Sequence, residues 1–187
     1  MMRRALIAAV AIAAGAAGAA AQHPSTASLP REVGPVKLGM PAQAFARLGH
    51  VIPECAPADG CGPHEARASA FIDTMPPGTT GLPGMQQFAA RFVADTLYAF
   101  TIRPPGHRLT SLRAYYTGLY GPPQREDTTD DGGGRLIWAS KTTELVIDYV
   151  RNAAPNGPPP GTVTGVEYVD VRLSQLAEKD RGDRPWP

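Results

Sequence analysis

The run Phe88-Ala-Ala-Arg-Phe-Val-Ala-Asp-Thr-Leu-Tyr-Ala-Phe-Thr-Ile-Arg103 decides the fold class. Phe88, Ala90 and Phe92 line one side of its first part, and Tyr98, Phe100 and Ile102 line one side of its second. Period-two alternation of this kind is the signature of a strand with one buried face. Ala94-Asp95-Thr96 separates the two parts, so the stretch predicts a hairpin and with it an antiparallel sheet.

Working outward, Ala68, Ala70 and Ile72 alternate with Ser69, Phe71 and Asp73, which predicts a strand before the hairpin. Leu136–Ser140 and Leu145–Val150 flank Lys141-Thr142-Thr143, a second hairpin, and Val163–Val171 reads as a last strand. Two helices are expected. One starts at Pro41 after the extended Val36–Met40 and stops at Gly49. The other carries Leu109, Leu112, Tyr116 and Leu119 as one apolar stripe and is closed by Gly121-Pro122-Pro123. Residues 75–86, 124–134 and 152–161 read as loops or linkers, and Leu173–Lys179 as a short terminal helix. The expectation is an α+β domain over 36–180, an antiparallel sheet with two main helices on one face. The element order suggests a tandem helix-plus-three-strand repeat, with halves 36–105 and 106–180.

The first 21 residues have another purpose. Arg3 and Arg4, an Ala-rich apolar run and the ending Ala19-Ala20-Ala21 form the pattern of a cleavable secretory signal, and residues 22–35 read as a flexible leader or an early edge strand. Residues 181–187 read as a polar tail. Cleavage removes two arginines and takes the net charge from +1 to −1. A near-neutral surface gives no electrostatic reason to expect nucleic acid, and no later run is long enough to span a bilayer. The expected location is periplasmic or secreted.

An oxidising compartment makes Cys55 and Cys61 a disulfide pair closing a short turn-rich ring, worth about 2 kcal/mol. The rival use of the same thiols is metal handling by His50, Cys55, Cys61 and His64, a set suited to zinc or copper. No cofactor is expected. The sequence holds no Gly-x-Ser-x-Gly, no His-Glu-x-x-His and no Cys-x-x-Cys. Asp127, Asp130 and Asp131 lack the later Glu of a calcium loop. Asp95 and Asp148 are candidate members of a carboxylate pair. Tyr115, Tyr116, Tyr120 and Trp138 are the notable aromatics, with Tyr115 and Trp138 the candidates for a binding face and core packing the alternative for both.

The segment Val36-Lys37-Leu38-Gly39-Met40-Pro41, followed by Phe45 and Leu48-Gly49, resembles the helix-start motif of small exported α/β modules. These are the SmpA/OmlA-type outer-membrane assembly lipoproteins and the β-lactamase inhibitory protein fold. Leu119-Tyr120-Gly121-Pro122 is similar to the end of the same motif. The resemblance implies a protein-binding module; the lipid-anchoring Cys of the lipoproteins is absent.

The functional expectation is an exported, non-catalytic binding or accessory module whose partner is another exported protein or an envelope component. The alternatives are a hydrolase of an envelope polymer and the four-ligand metal protein. A deep pocket with two facing carboxylates would favour the hydrolase, and a flat aromatic sheet face would favour binding.

Overall fold

The central hairpin forms from β5 (Gln86–Val93) and β6 (Thr96–Arg103). In the computed structural model, which describes residues 28–55, 64–72, 86–103, 108–129, 133–152 and 157–182, its turn is two residues long. Ala94 and Asp95 both take positive φ, 45° and 62°, which matches the twist of the flanking strands. Thr96 begins the second strand.

The other elements follow in chain order. A short hairpin, β1 (Glu32–Val33) and β2 (Val36–Lys37), leads into α1 (Ala42–Ala46). Then come β3 (His50–Cys55), β4 (Glu65–Ile72), β5, β6 and α2 (Leu109–Tyr120). The chain closes with β7 (Arg125–Thr128), β8 (Gly133–Ala139), β9 (Thr143–Val150), β10 (Val163–Asp170) and α3 (Val171–Gly182). Eight strands make one antiparallel sheet in the order β3-β4-β5-β6-β10-β9-β8-β7. The fold is α+β.

Each half has four strands where the sequence suggests three. The additional ones, β3 and β7, are the two outer strands. Pro53 lies in β3 and β7 reads Arg-Glu-Asp-Thr, and both proline and charge belong on sheet edges, where they discourage pairing with other chains. Within residues 28–35, β1 pairs only with β2, in a two-stranded ribbon apart from the main sheet, and Leu29 and Val33 are buried. Residues 1–21 and Cys61 lie outside the described residues.

The two halves are related residue by residue. Just before α1, Pro41 bridges Thr96 at the start of β6; just before α2, Arg108 bridges Thr162, the residue ahead of β10. The next amides repeat the match, Ala42 N–H donating to Asp95 O and Leu109 N–H to Gly161 O. Both last strands carry a bulge at the same place, where Tyr98 and Thr164 lie between paired neighbours. These matches make Thr101 and Glu167 counterparts, and they pair with each other at the β6–β10 junction. A local two-fold axis therefore passes between them.

One sheet face packs against α1 and α2. Phe45 of α1 meets Phe92 edge-on at 5.6 Å, and Tyr116 of α2 lies 5.9 Å from Trp138. Leu112 and Tyr116 are buried as the periodicity predicts, but Leu119 is 44% exposed. Tyr120, a full turn beyond Tyr116, stacks on it at 6.2 Å in its place. Gly121 ends the helix at φ 79°, and its carbonyl accepts the Trp138 indole N–H at 2.8 Å. Tyr116 and Tyr168 share a buried hydroxyl–hydroxyl bond of 2.8 Å, and burial pushes both phenols up. Each fully buried large side chain of this core contributes about 1.5–3 kcal/mol.

Candidate functional site

Residues opposite in parity to the core project from the other sheet face. There, α3 covers one end. Leu173 and Ala177 pack against Val93, Tyr98, Ala99 and Val169. Under the helix, Glu65 is 2% exposed and accepts a 3.0 Å hydrogen bond from the Tyr98 hydroxyl. Arg67 and Arg181 lie 3.7 and 3.8 Å from the same carboxylate. Asp170 starts the helix by accepting from Leu173 N–H at 2.9 Å, and it also holds Arg31 of the N-terminal segment.

Beyond α3 no described helix covers the face, although Ser69, Ile137 and Val146 on it are buried. The register sets Ser69, Ala89, Thr101, Glu167, Val146 and Ile137 side by side across six strands. Small and short side chains in most of these columns keep the surface shallow. Two ion pairs cross it. Arg91 binds Glu167, and Arg135 Nε donates to Asp148 Oδ1 at 2.8 Å. Burial pushes the Glu167 carboxyl up, with Arg91 opposing, while the bond it donates to Asp148 pushes the Arg135 guanidinium up. Arg91 also stands over the Tyr98 ring, 5.3 Å from its centre. At the outer end, Ile52 and Phe71 are each 45% exposed, on adjacent strands and the same face.

The expected site residues fall as follows. Trp138 is fully buried on the helix-covered face, so it belongs to the core and not to a binding face. Its indole is the partner that closes α2, which demands burial. Tyr115 is half-buried, edge-on to Tyr116 at 5.1 Å. The two do not form one surface. Asp95 is an exposed turn residue, whereas Asp148 does lie on the open face, beside Glu167 and tied to Arg135.

The four-ligand metal set does not converge. His50 and Cys55 begin and end the extended β3, about 16 Å apart at 3.3 Å per residue. His50 sits opposite Phe71, at the far end of β4 from His64, which directly precedes Glu65. An extended strand cannot fold these residues round one ion. The Cys55–Cys61 pairing itself lies outside the described residues.

Sequence reasoning missed Arg91, Glu167, Ile52 and Phe71 as a group. Their signal is parity, which is readable along each strand, but the register that brings them together is not. Comparison of the chain with protein-family models, with curated proteins and with solved structures gives no match.

Proposed function

We propose that this is an exported, non-catalytic binding module that docks another exported protein or an envelope component on the open face of its sheet. The observation that carries the reading is the exposed pair Ile52 and Phe71, continuous with a shallow row whose charges are already matched in pairs. Apolar side chains exposed at this level beside satisfied polar groups offer a partner burial without stranded charge. The hydrolase alternative would draw on Glu167 and Asp148. Each is ion-paired to its own arginine on an open surface, an arrangement that stabilises the face and leaves neither carboxylate free as an acid.

The test is crosslinking in the native envelope from Phe71 and, as a control, from Leu119 on the far side of the molecule. Capture of a defined protein or polymer from Phe71 alone is expected. Equal capture from both positions, or retention of the chain in the cytoplasm, would sink the reading.

A further inference from the structure

The two-fold relation shows what differs between the halves. In the first, the bulge residue is Tyr98, whose ring fills the space between Glu65, Arg91 and Val93 under α3. The paired registers make Gly133, Asp148, Val150 and Thr164 the counterparts of Glu65, Arg91, Val93 and Tyr98. Three large or medium side chains are thus replaced by a glycine, a carboxylate and an exposed threonine, while the valine is kept. The same place in the second half is an open cleft of about 450 Å³, lined by these residues with Arg135 and Asn152. That lies within the range of about 300–1,000 Å³ typical of small-molecule sites.

The lining selects a chemistry. Arg135 and Asp148 neutralise each other at 2.8 Å, so an anion would meet the carboxylate and a cation the guanidinium. Their remaining donors and acceptors, the Thr164 hydroxyl and the Asn152 amide suit a ligand with many hydroxyl or amide groups and no net charge. We propose that this cleft binds a neutral saccharide unit of about disaccharide size. The site is separate from the Ile52–Phe71 patch and does not depend on docking there.

Neutral disaccharides, N,N′-diacetylchitobiose and maltose, titrated into the isotope-labelled protein provide the probe. Amide shifts centred on Gly133, Arg135, Asn152 and Thr164 are expected for at least one of them. Thr164→Tyr, which installs the residue of the other half, should weaken binding at least roughly tenfold with the fold intact. Asp148→Asn is the second variant should the first misfold, and it should weaken binding without displacing the shifts elsewhere. Absence of cleft shifts at tens of millimolar sugar overturns the proposal. So does binding that survives both variants, or tighter binding of a charged disaccharide.

Discussion

The ring of Tyr149 lies directly across Gly134, so that a Cβ on that glycine would stand 2.2 Å from the ring Cζ. Tyr149 crosses β8 this way to reach β7, where its hydroxyl donates to Glu126 Oε1 at 2.8 Å. The aromatic ties an otherwise polar edge strand to the sheet.

Gly134→Ala should therefore destabilise by about 1–3 kcal/mol, because the ring must move and release Glu126. Tyr149→Phe, which keeps the ring and removes the hydroxyl, should cost about 1 kcal/mol. Chemical denaturation of the two variants checks the ranking, and a harmless Gly134→Ala would refute the packing account.

Leu112 is 2% exposed in the stripe of α2 that faces the sheet. Leu112→Asp should lower stability by more than about 3 kcal/mol, since it buries a charge without a partner. Arg113, its neighbour, pairs with Glu126 across a surface where both side chains are nearly half exposed. Arg113→Ala should cost less than about 1 kcal/mol. Thermal melts of both variants make the comparison.

Asp170 gives a pH dependence with a defined sign. Burial would push its carboxyl up, but Arg31 and the Leu173 and Arg172 amides hold it below the ordinary aspartate value. A depressed folded-state value means stability that is present above the unfolded value of about 3.9 and lost as pH falls through the folded one. Arg31→Met should cost about 1 kcal/mol at neutral pH, with the deficit shrinking in strong acid. Denaturation midpoints at pH 7 and pH 3 test this; a deficit that grows on acidification would reverse the assignment.

Cys55 and Cys61 are expected to be oxidised in exported protein, with Cys→Ser at both positions costing about 2 kcal/mol and leaving the fold intact. Thiol titration under denaturing conditions is the check. Two free thiols in the native preparation would remove the disulfide.

The elements legible in the sequence are those whose burial alternates or repeats cleanly. The β5–β6 hairpin and α2 carry their signal in Phe88, Phe92, Phe100, Leu112 and Tyr116. Strand β7 offered none, because Arg125-Glu-Asp-Thr128 is polar on both faces and held by cross-strand pairing with β8. Trp138 is ambiguous because a tryptophan in a strand suits either face, and what covers it is the end of α2, where Tyr116 packs on its ring and the Gly121 carbonyl takes its N–H. The bulges at Tyr98 and Thr164 reverse side-chain parity within otherwise regular strands. No pattern along a single strand announces them, yet they decide what lies beneath α3 and what lines the cleft.

The sheet order also bears on how the chain folds. Strands β3 to β6 are sheet neighbours in the order they occur in the chain, and so are β7 to β10. Local hairpins can form quickly, and the entropy of closing a long segment falls almost wholly on the single β6–β10 junction. The late barrier in folding should then be the docking of two preformed meanders. Substitutions that weaken the β6–β10 junction should slow folding more than equally destabilising changes within either meander.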